Sequence, residues 1–254
     1  MIVLLSPAKT LDFSPVDIAS VSQPRMLEQT AELAAVLRKK SPKKLRELMS
    51  ISESLAQQNA ERFQTFDTSE NLASAKPALL AFRGDVYRGL DVDDFSPAEL
   101  SDAQDRIRIL SGMYGLLRPL DLIQPYRLEM GTALKVGRKK NLYKFWGDRI
   151  TTLLREDVER TGTNFILNAA SKEYMGSLNT DALGAPVIEA DFRERRDGKL
   201  KFITYNAKMA RGRLAALVVR ENITNLEGFK DLDVLGYSYD AERSNEGVVA
   251  FTKG

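Results

Sequence analysis

The 254-residue sequence predicts an α/β or α+β protein, a mixed sheet with surrounding helices, in one continuous domain spanning 1–254. Three observations carry this expectation. Short apolar runs such as 2–5, 107–110 and 165–167 lack helical spacing and read as buried strands. Longer stretches between them, such as 25–40 and 142–160, repeat their apolar residues at helical spacing. The composition is 43% hydrophobic and 28% charged with 16 Gly and 9 Pro, an ordinary globular balance that excludes collagen-like, mucin-like and disordered chains. Helices alternating with apolar strands bury their faces best as layers over a sheet.

Taken in order, Ile2-Val3-Leu4-Leu5 is a strand stopped by Ser6-Pro7, and 7–24, with three prolines, is a long loop. Met26, Leu27, Leu33, Val36 and Leu37 mark a helix over 25–40. Ser41-Pro42 starts a second, with Pro at its first position, and Ser52 opens a third that runs to about 66. The polar stretch 67–76 reads as loop, and Ala78-Leu79-Leu80-Ala81-Phe82 as a strand. Ser96-Pro97-Ala98-Glu99 carries the spacing of a capping box, so a helix follows to about 106. After the strand at 107–110, Asn141 caps a helix expected to run unbroken over 142–160, and 165–167 is a further strand. Asp197-Gly198 between 187–195 and 199–205 signals a hairpin. A helix over 207–222 and a second hairpin, 234–239 with 248–252, complete the chain.

The residue inventory narrows the chemistry. The sequence has no Cys and no His, which excludes disulfides, thiolate or imidazole metal sites and Ser–His–Asp catalysis. Any metal would need oxygen ligands, and the densest acidic group, Asp91, Asp93 and Asp94, lacks calcium-loop spacing. No metal site or cofactor is expected. The start carries no basic-flanked apolar core and no run approaches about 18 apolar residues, so the expectation is a cytoplasmic protein without a membrane segment.

The net charge of +2 conceals segregation along the chain. Residues 106–149 and 193–220 each carry +7, leaving −12 on the rest. The two basic stretches form one positive face, or else their cations pair across the fold. In the first, Leu110-Ser111-Gly112-Met113-Tyr114-Gly115-Leu116-Leu117-Arg118 runs from a strand into a glycine-containing turn. Gly112 and Gly115 there permit close backbone approach by a phosphate, and Arg118 and Arg127 supply forked donors. In the second, Lys208 and Arg211 share a helix face with Gly212, and Arg213 adds a further cation. These readings place Arg118, Arg127, Lys208 and Arg211 in one concave site with Lys9 at its floor, Asp121 and Glu129 being their resting partners. Tyr114, Tyr126, Tyr143, Phe145 and Trp146 interleave with the cations and offer stacking surfaces for an unpaired base. The alternative is that the glycines support turns between core elements and the aromatics are core.

Several blocks together resemble the YaaA family of bacterial peroxide-stress proteins. They are Ser6-Pro7-Ala8-Lys9-Thr10-Leu11-Asp12-Phe13, Phe82-Arg83-Gly84-Asp85-Val86-Tyr87, the stretch from Leu110 to Gly131, Tyr143-Lys144-Phe145-Trp146-Gly147-Asp148, Asn168-Ala169-Ala170-Ser171-Lys172-Glu173-Tyr174 and Ala207-Lys208-Met209-Ala210-Arg211-Gly212. The resemblance spans essentially the whole chain. It implies a cytoplasmic protein induced by hydrogen peroxide that limits iron-dependent oxidative DNA damage and lowers free iron. It also implies a family-specific mixed fold with a basic cleft, and a helix-hairpin-helix element that binds DNA, duplex or partly unpaired. Its blocks add Arg83, Lys144 and Lys172 as candidate phosphate contacts, and Ser111–Leu116 is the best local match for the helix-hairpin-helix turn. The stretch around Ser111 also resembles, more faintly, nucleobase-handling glycosylases and ribosyltransferase-like proteins. Under that alternative Asp121 and Glu129 are the carboxylates, Tyr126 lies in the same block and Lys9 is an amine nucleophile. Enzymatic activity therefore stays open, as does the oligomeric state, a monomer being favoured.

Overall fold

The computed structural model describes residues 1–68 and 74–254. Residues 69–73, inside the stretch read as loop, lie outside the described residues. The strands are β1 (Ile2–Leu5), β2 (Thr10–Leu11), β3 (Lys76–Pro77), β4 (Phe82–Arg83), β5 (Ile107–Ser111), β6 (Gly115–Leu117), β7 (Leu122–Ile123), β8 (Ile166–Asn168), β9 (Val187–Arg196), β10 (Lys199–Lys201), β11 (Asp233–Val234), β12 (Tyr237–Tyr239) and β13 (Val248–Lys253). The α-helices are α1 (Leu27–Arg38), α2 (Pro42–Met49), α3 (Glu53–Thr65), α4 (Ala78–Ala81), α5 (Asp85–Leu90), α6 (Pro97–Arg106), α7 (Leu142–Trp146), α8 (Arg149–Thr161), α9 (Lys172–Met175) and α10 (Thr204–Arg220).

The main sheet is mixed and nine-stranded, in the order β11-β12-β13-β9-β8-β1-β5-β6, with β10 paired to β9 off this path. Its centre, β5-β1-β8-β9-β13, is parallel throughout. Numbered along the chain, these five strands lie in the order 2-1-3-4-5, a doubly wound arrangement whose switch point falls between β1 and β8. Antiparallel β6 and the β11–β12 pair extend the two edges. All four residues of β1 are fully buried, as expected for a strand covered on both faces.

Local chemistry explains most boundaries. Ser96 Oγ accepts from Glu99 N while Ser96 N donates to Glu99 Oε2 at 2.6 Å, so the capping box at α6 is complete. Ser41 and Ser52 cap α2 and α3. Asp197 and Gly198 both take positive φ, 53° and 72°, which closes the β9–β10 hairpin. Four expectations need correction. Residues 78–81 form a helical turn rather than a strand, followed by β4; a four-residue apolar run is compatible with either, and here Ala78 N and Leu79 N donate to Asp121 O and Pro119 O. The helix expected over 142–160 is two, broken at Gly147, whose φ is +52°. The strand expected over 199–205 ends at Lys201, because α10 begins at Thr204. The strand expected over 234–239 folds on itself at Leu235-Gly236, both at positive φ, giving β11 and β12.

Candidate functional site

In a doubly wound sheet, ligands bind beyond the carboxyl ends of the strands at the switch point, where adjacent loops leave in opposite directions. Here those loops are Ser6-Pro7-Ala8-Lys9 after β1 and Ala169-Ala170-Ser171 after β8. They are pinned to each other by Ser171 N donating to Ser6 Oγ at 2.9 Å. A cleft of about 480 Å³ opens there, walled by these loops, by 83–87, by 126–129 and by Lys208 and Arg211 of α10.

Close backbone contacts set the walls. A Cβ on Gly212 would lie 1.7 Å from Val86 O, and one on Gly89 would lie 1.9 Å from Met209 O. Helix α10 therefore lies directly on α5, which brings Lys208 and Arg211 opposite Asp85 and Tyr87. A Cβ on Gly112 would meet Leu128 O at 2.3 Å, so the turn after β5 seats the segment that carries Arg127 and Glu129. Gly112 and Gly212 thus admit the protein's own backbone, not that of a ligand. The phosphate-cradle reading of the Gly112–Gly115 turn fails on the same ground. Ser111 Oγ already accepts from Met113 N and Tyr114 N, and Gly115, at φ +70°, packs on Met26 and Trp146. Residues 111–115 link antiparallel β5 and β6, so Ser111–Leu116 is a β-hairpin and not a helix-hairpin-helix.

Five cations line the cleft: Lys9, Arg83, Arg127, Lys208 and Arg211. Lys9 is 61% exposed and sits at the rim, not the floor. Glu129 joins Lys9 at 2.8 Å to Arg127 at 3.2 Å. Arg83 meets Asp93 at 2.9 Å and Asp12 at 3.7 Å, and Lys208 approaches Asp85 at 3.9 Å. Hydrogen bonds from Ser14, aided by Lys76 and Arg83, hold the Asp12 carboxyl at about 2. Arg211 is different. Among the described residues no carboxylate lies within 4.0 Å of it, and its one hydrogen bond is a long one, 3.4 Å, to Ala170 O. Burial pulls its pKa down from the ordinary arginine value, against the pull of the more distant Glu189 and Asp191. The floor is neutral and aromatic. Tyr87 donates to Ser6 O at 3.0 Å and Tyr126 bonds Ser111 Oγ at 2.7 Å, and burial drives the pKa of Tyr87, Tyr126 and Tyr174 upward, so all three stay protonated.

Not every candidate converges. Arg118 lies elsewhere, bonded to Gln23 O and to Asp121, a fully buried carboxylate that also accepts from Ser22 Oγ. Both residues belong to a closed structural knot outside the cleft, because the loop after β6 turns towards Ser22 and away from the switch point. Lys144 lines a separate groove beside Arg25, Phe145 and Trp146. Lys172 and Arg213 are outside the cleft lining. Of the interleaved aromatics only Tyr126 lines the cleft, while Tyr114, Phe145 and Trp146 are core. Sequence reasoning gave no role to Asp85, Tyr87, Glu173 or Tyr174, although all lie in the quoted blocks. Their signal was proximity to Gly84 and to the end of β8. The two basic stretches meet at the cleft through Arg127, Lys208 and Arg211. Much of their remaining charge pairs across the fold, as in Arg108–Asp157, Arg118–Asp121 and Arg220–Glu99. No group of three carboxylates that could hold a metal occurs among the described residues, and none of the described helices is long and apolar enough to cross a membrane.

The family model described as peroxide stress protein YaaA matches residues 1–243. The chain belongs to the YaaA family. Curated relatives match over the full length. A UPF0246 protein of Hahella chejuensis (strain KCTC 2396) is 45% identical over 254 residues, covering 100% of this chain and 99% of its own. UPF0246 proteins of Burkholderia lata and Burkholderia vietnamiensis are 46% and 44% identical over 256 residues, each covering 100% of this chain and 98% of the relative. The matched residues 1–243 include every residue that lines the cleft.

Proposed function

We propose that this YaaA-family protein binds DNA through the switch-point cleft, in the cytoplasm, and so limits iron-dependent oxidative DNA damage. The observation that carries the reading is Arg211, a half-buried guanidinium in the cleft with no carboxylate partner among the described residues. A cation withdrawn from water and left unpaired costs stability unless an anion completes it. A phosphate oxygen matches its forked donors. Lys9, Arg83, Arg127 and Lys208 surround it with charge for neighbouring phosphates. Cations that neutralise phosphates release the counterions condensed on DNA, and bound iron is one such counterion. A cleft of about 480 Å³ is too small for a duplex and large enough for one nucleotide, which favours distorted or partly unpaired DNA.

The test is a salt titration with a duplex, a bulged duplex and a single strand. The bulged duplex should bind tightest, and Arg211→Ala should weaken binding to all three without sequence preference. Equal binding by Arg211→Ala at matched salt would refute the proposal.

One observation favours a second reading, a nucleobase-processing enzyme. Glu129 stands in the cleft as a carboxylate braced by Lys9 and Arg127 beside Tyr126, a placement able to stabilise an oxocarbenium-like centre. Base release from a nucleoside panel, abolished by Glu129→Gln, would support it.

A further inference from the structure

We infer that the exposed turn Gly137-Arg138-Lys139-Lys140 is a second phosphate-backbone contact, outside the cleft, for the same nucleic acid, an inference that rests on reading the cleft as a DNA site. The turn is built to hold its cations outward. Val136 N donates to Lys139 O at 3.0 Å and Lys139 N returns a bond to Val136 O at 2.9 Å, with Gly137 at φ +54°. Leu134, Val136 and Leu142 are buried on either side and anchor the base, while Lys135, Arg138, Lys139 and Lys140 are exposed. Asn141 then caps α7 through Lys144 N at 2.9 Å, which fixes the exit.

The cations of this turn are unpaired, as are Lys39, Lys40, Lys43, Lys44 and Arg46 among the described residues; in the turn they crowd between two anchored ends. The cations of the cleft rim and much of the basic sequence elsewhere hold carboxylates. Among the described residues, Lys135, Arg138, Lys139, Lys140 and Lys144 make no ion pair. Five cations within ten residues repel one another and lower stability until an anion neutralises them. The exposed side chains of the turn include no apolar or aromatic anchor of the kind that dominates protein interfaces. A phosphate backbone needs only the cations. Lys139 and Lys144 line the separate groove beside Arg25 and Arg149, and the chain ties this turn to the cleft. Glu173, at the cleft wall, accepts from Gly131 N at 2.8 Å, so the segment leaving Glu129 is tied to the cleft before it reaches Lys135. The six residue steps from Glu129 to Lys135 span at most about 20 Å, or roughly six nucleotides at the 3.4 Å rise of a strand.

The test compares Arg138→Ala/Lys139→Ala/Lys140→Ala with Arg211→Ala on two probes, a 20-base-pair bulged duplex and a trinucleotide. The triple variant keeps Gly137, removes no side-chain hydrogen bond seen among the described residues and relieves repulsion, so its melting temperature should be no lower than the parent's. On the duplex, its log–log salt slope should fall by about 2 to 3, with trinucleotide binding unchanged. Parent-like duplex affinity and slope in the triple variant would overturn the inference. Trinucleotide binding indifferent to Arg211→Ala, beside a reduced duplex slope in the triple variant, would remove the cleft reading and leave the turn as a phosphate contact. Parent binding to polyglutamate as tight as to the duplex, lost equally in the triple variant, would overturn the nucleic-acid assignment in favour of an acidic protein.

Discussion

Arg108 and Arg211 show what a partner does for a guanidinium withdrawn from water. Arg108 is fully buried and meets Asp157 at 2.5 Å, and Arg25 braces the same carboxylate with two bonds of 2.8 Å. Burial alone would raise the Asp157 pKa, but the hydrogen bonds from Arg25 and Arg108 overcome it and hold the carboxyl at about 2. A carboxylate lowered on folding stabilises the fold above its unfolded value near 3.9, and that contribution fades as pH falls towards about 2. Asp157→Ala should destabilise the protein by about 3–5 kcal/mol, because it strands Arg108, and should remove this part of the acid transition in denaturant melts between about pH 4 and 2. Arg211 has no such carboxylate and its burial is a cost, so Arg211→Ala should leave the melting temperature at or above the parent's. Glu129 separates the two functional readings by sign. Glu129→Gln frees Lys9 and Arg127, so it should tighten DNA binding and steepen its salt dependence. Under the enzymatic reading the same change abolishes base release.

At the scale of elements, the features legible in the sequence were those whose cause is local. The capping box at Ser96 and Glu99 and the Asp197-Gly198 turn depend on residues a few positions apart, and both are formed. The Ala78–Phe82 run and the Gly147 break were not legible, because four apolar residues fit either element and a glycine tolerated in a helix can also end one. Gly212 was legible as a place of close approach, but the sequence did not show that α5 would occupy it. Gly212→Ala forces a Cβ to 1.7 Å from Val86 O, and one on Gly89 would meet Met209 O in the same interface. The α5–α10 contact must open, at a cost of at least about 2 kcal/mol. Because those helices carry Asp85, Lys208 and Arg211, Gly212→Ala should reduce both thermal stability and DNA affinity, whereas Arg211→Ala should reduce affinity alone. Thermal melts and binding isotherms on the two variants distinguish these outcomes.

Across the whole molecule, strand order decides which charges meet. The sequence located β1, β5, β8, β9 and β13 within a few residues, yet nothing local to them specified the 2-1-3-4-5 order, which arises from pairing between distant segments. That order brings the loops after β1 and β8 together and with them Lys9, Arg127, Lys208 and Arg211, while Arg118 closes on Asp121 at another site. Linear charge segregation overstated the basic face because Asp157, Glu99 and Asp191 come from outside the two basic stretches to meet their arginines. Arg211 is proposed to take a DNA phosphate as its partner. The most direct measurement is the affinity of the parent and Arg211→Ala for a bulged duplex across a salt series, with melting curves beside it. The parent's affinity should decline steeply with salt, and Arg211→Ala should bind more weakly with a slope shallower by about 1 and a melting temperature no lower than the parent's. Superimposable isotherms for the two proteins at every salt concentration would contradict this assignment.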